Sequence, residues 1–225
     1  MSTGFDYSPP RQTRSSTAPC CCGCVVLMMA VAVAAVLAFN AGVGFKQFWD
    51  WVQEHALQKH PAVGKQLDRT ALLKLEPLTG TAAPLEDEDL SNRVLLVNFW
   101  GTWCPPCLAE LQHIAALERK YRHDPRVRVL SVSCAAGLGP GMKEDVHRLK
   151  EETEATLAER NVDLPTYADP RSVARAAVDA VAGFDGYPTT LILDRQGVIR
   201  GVWVGYAPGA ERQMQRLIEQ LLAED

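Results

Sequence analysis

The chain has no basic surplus: 23 Lys+Arg stand against 27 Asp+Glu, a formal charge of −4. A nucleic-acid-binding domain would carry a basic face instead, so that class is excluded. Cysteine is scarce as well. Seven occur in 225 residues, and four of these, Cys20, Cys21, Cys22 and Cys24, crowd one N-terminal segment. The other three, Cys104, Cys107 and Cys134, are too few for a disulfide-stapled scaffold. The N-terminal cluster contains a second C-x-x-C, Cys21 to Cys24, but beyond that cluster no His-x-x-x-His and no further spaced cysteine pair accompany Cys104 and Cys107, which leaves a tetrahedral zinc site there incomplete. "GLGPG" is not followed by Lys-Ser or Lys-Thr, so no phosphate-binding loop is present. Internal repeats are lacking too, and no cofactor is expected.

Charge is missing altogether from Ala18 to Phe45, whose apolar centre runs from Cys24 to Phe39. With its flanks the segment reaches the ~20 residues of a membrane span, and it reads as a transmembrane anchor over 25–45, preceded by a tail at 1–24 that holds the cysteine cluster. A cleaved signal peptide is the rival, because "AVA" and "VLA" offer small residues of the kind a signal peptidase accepts. Against cleavage, Phe45, Phe48, Trp49 and Trp51 follow directly and suit an interfacial aromatic belt. The cysteine cluster precedes the apolar run, whereas a bacterial lipoprotein cysteine follows it. Arg11 and Arg14 on one side nearly balance Lys46, Lys59 and Lys65 on the other, so the positive-inside count does not orient the anchor.

Residues 46–68 read as a juxtamembrane helix and linker, and 69–225 as one domain. Within it "TALLKLEPLTGTAAPLEDEDL" suggests an N-terminal β-hairpin turning at Leu78 to Thr81, with Glu86 to Asp89 in a solvated turn. The run Val94 to Phe99, apolar apart from Asn98, is expected for a strand covered on both faces. Leu111, Ile114, Ala115, Leu117 and Tyr121 then recur at helical spacing. After the strand "VRVLSVS", Met142, Val146, Leu149, Thr153 and Leu157 mark an amphipathic helix, and "LPTYAD" a short extended piece. Asp169-Pro170 looks like the start of a helix through about Val181. "TTLILDRQGVIRGVWVG" is a hairpin about Asp194 to Gly197, and Met214, Leu217, Ile218, Leu221 and Leu222 close the chain with a helix. Strands alternating with helices before a terminal hairpin describe an α/β fold with a mixed sheet.

The chemistry lies in "VLLVNFWGTWCPPC". Only a thiolate attacks a disulfide, and a helix N-terminus stabilises one through unpaired N–H groups and the positive end of the dipole. Pro105 pushes Cys104 out of helical geometry, to the cap or before it, and prolines in a first turn remove donors the helix does not use. Cys104 is therefore expected to be the exposed attacking thiol, with Cys107, one turn further in, the shielded thiol that resolves the mixed disulfide. Trp100 and Trp103 bracket the pair with apolar surface.

"VNFWGTWCPPC" resembles the thioredoxin superfamily and, more narrowly, the membrane-anchored thiol-disulfide oxidoreductases of the TlpA/ResA type. The resemblance runs from about Lys65 to Leu222. It implies a thioredoxin-like fold with an N-terminal β-hairpin and a helix-strand insertion at roughly Gly141 to Ala168. Glu110 matches the glutamate of the family's C-x-x-C-x-x-E pattern, which implies a partly buried carboxylate handling protons near the resolving thiol. "GYPTTLILDRQG" is similar to the segment carrying the family's cis-proline, which implies a cis Tyr187-Pro188 bond opposite the disulfide and a Tyr187 backbone able to pair with an extended client peptide. Trp103, Tyr187 and Pro188 are thus the expected substrate-binding residues, and Cys104, Cys107 and Glu110 the catalytic ones. Asn98 stands where thioredoxin has a buried aspartate, leaving proton handling to Glu110 or water, and Gln112 replaces a proline common after the glutamate. Cys134 reads as a buried strand-end cysteine.

The expected activity is dithiol-disulfide exchange with cysteines of extracytoplasmic proteins, as a reductase. The ResA branch implies apocytochrome c thiols as one client class and a membrane electron donor as partner. An oxidising or isomerising role, or a redox-inactive binding module, stays open. A thiol peroxidase is disfavoured, because the related peroxidases use an isolated P-x-x-x-T-x-x-C cysteine that the chain lacks. A bacterial cytoplasmic membrane with the domain facing the periplasm is the expected location, with a thylakoid-type membrane as the minority alternative.

Overall fold

The computed structural model describes residues 60–80, 84–137 and 143–224. The tail, the apolar stretch and most of the expected juxtamembrane segment lie outside them. Among the described residues no helix is long and apolar enough to cross a membrane.

Six strands form one mixed sheet: β1 (Glu76–Thr79), β2 (Val94–Trp100), β3 (Val127–Ser133), β4 (Thr166–Ala168), β5 (Thr189–Leu193) and β6 (Ile199–Val204), in the spatial order β1-β4-β3-β2-β5-β6. β2, β3 and β4 run parallel, while β1, β5 and β6 are antiparallel to their neighbours. Among the described residues five α-helices accompany them: α1 (Asp87–Leu90), α2 (Pro105–Tyr121), α3 (Val146–Glu159), α4 (Val173–Ala182) and α5 (Ala210–Ala223).

All seven residues of β2 are buried, which is why its sequence reads as an apolar run and not as an alternation. Leu95, Val97 and Phe99 join the core shared with Ala174 and Val178 of α4 and Leu72 of the 3-10 helix Arg69–Lys74. Leu96 and Trp100 point the other way, into a core with Leu111 and Ile114 of α2 and Met214 and Ile218 of α5. Strand residues two apart share a face, so Asn98 lies on the α2 side. The central insertion is seen as α3 followed by β4. The hairpin β5–β6 turns where expected: the Asp194 carboxylate accepts from the Gln196 and Val198 N–H groups, and Gly197 adopts φ 83°, a conformation costly for residues with a side chain.

Four local expectations change. The N-terminal hairpin does not form among the described residues: 69–74 is a 3-10 helix, and β1 pairs with β4 from the insertion, a long-range partner that local pattern cannot announce. Glu86 to Asp89 is not a plain turn, since Glu86 and Asp89 cap α1 reciprocally. α4 starts at Val173 and not at Pro170, although the Asp169 carboxylate still serves its first turn by accepting from the Ala174 and Arg175 N–H groups. The described end of the expected linker is part of the packed domain: Ala62 and Leu67 are buried, and Gly64 N–H and Leu67 N–H donate to the carbonyls of Ile199 and Gly197.

Candidate active site

β2 delivers the chain, through Gly101 to Trp103, to the N-terminus of α2. Cys104 is the N-cap, in extended conformation at φ −106° and ψ 102°. Pro105 and Pro106 occupy the first turn and carry no N–H, so Cys107 supplies the donor: its N–H lies 3.3 Å from Cys104 Sγ. The two sulfurs are joined at 2.08 Å with the Cα atoms 5.3 Å apart. In the reduced chain the same N–H and the helix dipole would hold a Cys104 thiolate.

The expected exposure of Cys104 needs correction. In the disulfide form Cys104 is 4% exposed and Cys107 1%. The side chain presented to solvent is Trp103, at 43%. Its indole folds back so that Nε1 donates to the Cys134 carbonyl at 3.0 Å, and the Tyr187 ring meets it edge-on at 5.2 Å. Tyr187 packs against the apolar cluster that holds both cysteines, and the Tyr187-Pro188 bond is cis. The structure thus brings Trp103, Cys104, Cys107, Tyr187 and Pro188 to one end of the sheet.

Gly101 makes this fold-back fit. A Cβ there would collide with the Trp103 indole and lie 3.0 Å from the Cys134 carbonyl oxygen. Gly101→Ala is expected to break the Trp103–Cys134 hydrogen bond and destabilise the domain by about 1–3 kcal/mol. A shift in tryptophan emission together with a lowered denaturant midpoint checks this; unchanged emission would contradict it.

Glu110 lies one turn beyond Cys107 on α2 and is 3% exposed. Its Oε2 accepts from Asn98 Nδ2 at 3.0 Å, and that amide also donates to Thr190 Oγ1 at 2.9 Å, across the β2–β5 pair. Oε1 has no partner among the described residues. Burial pushes the carboxyl up to about 7, against the pull of the Asn98 bond, and the charge of Glu211 adds to the rise. Gln112 is exposed and takes no part. Cys134 is fully buried at the end of β3, and burial pushes its thiol up to about 12.

One group escaped the sequence reading. Behind Tyr187 lies a buried polar cluster of Glu144, Asp169, Ser172 and Arg175. The available signal was Arg175 itself, a cation on the α4 face that also carries Ala174 and Val178.

The family model described as AhpC/TSA matches residues 68–202. The chain belongs to the AhpC/TSA family. Relatives of this AhpC/TSA chain include a thiol-disulfide oxidoreductase ResA from Halalkalibacterium halodurans, 28% identical over 150 residues, which cover 66% of this chain and 72% of the relative. A thiol:disulfide interchange protein DsbE from Pseudomonas aeruginosa is 28% identical over 145 residues, covering 64% of this chain and 69% of the relative. Among solved structures, a Chlorobium tepidum protein assigned as a thiol:disulfide interchange protein DsbE superposes with a TM-score of 0.51 at 20% identity, covering 71% of this chain and 97% of that one, and so shares the fold. With its Cys104–Cys107 disulfide at the head of α2, this AhpC/TSA chain is a thiol-disulfide oxidoreductase of the thioredoxin-like, ResA/DsbE kind.

Proposed function

We infer that the chain is a membrane-tethered reductase of disulfides in extracytoplasmic proteins, held by the uncharged segment Ala18 to Phe45 in a bacterial cytoplasmic membrane with its domain in the periplasm. The observation that carries the catalytic part is the Cys104 sulfur at a helix N-terminus, hydrogen-bonded by the Cys107 N–H and flanked by Trp103 and Tyr187. The Cys104 thiolate attacks one sulfur of a client disulfide, forming a mixed disulfide and releasing the first client thiolate, which takes a proton from solvent. Cys107 then loses its proton towards Glu110 and attacks Cys104 Sγ. The second client sulfur leaves as a thiolate and takes up the proton that Glu110 received, and the Cys104–Cys107 disulfide remains; two electrons and two protons have passed to the client. A dithiol donor in the membrane restores the pair. Trp103 and the Tyr187-Pro188 backbone hold the client as an extended strand. The ResA-type resemblance suggests apocytochrome c haem-site cysteines as the client.

Direction rests on the reduction potential, measured on the full chain by equilibration in defined thiol-disulfide buffers. A reductase is expected to lie near thioredoxin's value of roughly −270 mV. A potential near the oxidising end, roughly −120 mV, would make the chain a disulfide donor and overturn the reductase reading.

A further inference from the structure

Tyr187 is held from behind by a buried guanidinium. Arg175, 6% exposed, donates from one terminal nitrogen to the Tyr187 hydroxyl at 2.7 Å and from the other to Ser172 Oγ. The second nitrogen also lies 3.6 Å from Glu144 Oε1, whose side chain is fully buried. Glu144 in turn accepts from the Ala135 N–H at 3.2 Å, and its own N–H donates to the Pro170 carbonyl. Ala135 is bonded to Cys134, whose carbonyl receives the Trp103 indole N–H. One carboxylate-guanidinium pair therefore reaches both aromatic walls of the disulfide: Tyr187 through a direct hydrogen bond, and Trp103 through the backbone of 134–135.

A buried pair of this kind is weak evidence for stability, because well-packed apolar residues do as well at lower desolvation cost. Its geometric effect is specific. The planar guanidinium has its donors in a fixed fork, so binding Ser172, Glu144 and Tyr187 at once sets where the tyrosine ring can lie. Apolar packing alone would leave that ring free to slide between Trp103 and Phe184, which it meets edge-on at 5.2 and 5.0 Å. Neither Glu144 nor Arg175 is in the C-x-x-C loop or the cis-proline turn. They come from the segment leading into α3 and from α4.

We propose that the Glu144–Arg175 pair is a positioning device for client binding, fixing Tyr187, and with it the Tyr187-Pro188 backbone, against Trp103 so that an extended peptide finds a preformed edge. This rests on the reading of Trp103 and Tyr187-Pro188 as the client-binding face. It assigns no role in electron transfer: dithiothreitol needs no peptide-binding edge, whereas a peptide disulfide does.

The test uses the full chain, turning over a short linear peptide that carries one disulfide, with dithiothreitol as electron donor. Arg175→Met is expected to raise the peptide KM about tenfold while kcat, the Cys104–Cys107 potential and the single-turnover rate of reduction by dithiothreitol stay within about twofold of wild type. Glu144→Gln takes the negative charge from the pair and Tyr187→Phe removes the hydroxyl that Arg175 holds, each with almost no change in volume; a rise in peptide KM is expected of both, so the outcome does not depend on Arg175→Met folding. Adding Tyr187→Phe to Arg175→Met should raise KM no further, because both cut one link. An unchanged peptide KM in all three variants would overturn the positioning role and leave the active-site reading standing. Equal losses toward peptide and dithiothreitol would overturn it too, marking a purely structural cluster. Absence of peptide turnover by the wild-type chain would overturn the client-binding reading itself.

Discussion

Cys104→Ser lowers turnover by at least ~1,000-fold, as removal of an attacking nucleophile does, while Cys107→Ser leaves the attack intact and stalls the chain as a mixed disulfide with its client. The asymmetry follows from the helix start. Cys104 is the residue whose sulfur receives the Cys107 N–H at 3.3 Å and sits at the positive end of α2, so its thiolate is the stabilised one. Cys107, at 1% exposure, can meet little besides Cys104. Non-reducing electrophoresis of thiol-trapped material reads both variants: client adducts accumulate with Cys107→Ser and are absent with Cys104→Ser. Cys134 offers no substitute, since it is fully buried with its thiol pushed up to about 12. Retained activity in Cys104→Ser would sink the assignment.

That the pair would be reactive was legible because the signal is local: strand, C-x-x-C and helix follow one another within a short stretch, and the prolines decide where the cap falls. β2 was legible for a related reason. A strand covered on both faces needs apolar residues throughout, and Val94 to Phe99 has them apart from Asn98, whose amide is satisfied by Glu110 and Thr190. The β5–β6 hairpin carried its turn chemistry in Asp194 and Gly197. The misread elements depend on distant partners. β1 finds β4 some ninety residues on (Glu76 opposite Ala168), and no local alternation distinguishes that from a hairpin. Cys104 is buried in an apolar cluster against which Tyr187 packs from the turn before β5, so its exposure could not be read from the helix start alone. Arg175, in a short alanine-rich helix, finds its partners in Tyr187, twelve residues on, and in Glu144 from the segment before α3, and no local pattern announces either.

Glu110→Gln trades activity for stability, and the sign of the exchange is set by burial. In the folded chain the carboxyl titrates near 7 and not near the ordinary 4.5. A carboxyl raised in this way favours the native state while it is protonated. That contribution is complete below about pH 4.5 and is lost as pH rises through about 7, because the unfolded chain ionises freely and the folded one must desolvate the charge. At 1.36 kcal/mol per pKa unit the loss is about 3 kcal/mol. Glutamine keeps an acceptor for Asn98 Nδ2 and cannot ionise, so the variant should unfold at higher denaturant than wild type at pH 8, by about 3 kcal/mol, and match it near pH 4.5. Glu144, which burial likewise pushes up to about 7, is common to both proteins and cancels in the comparison. What the glutamine cannot do is take the Cys107 proton. Turnover at pH 7 is expected to fall ~100-fold, within the range typical for loss of a general base, with mixed disulfide accumulating as it does in Cys107→Ser. Parallel stability curves for the two proteins from pH 4.5 to 8 would mean that the carboxyl is solvated in the folded chain, and unchanged turnover would mean that the Cys107 proton leaves by another route.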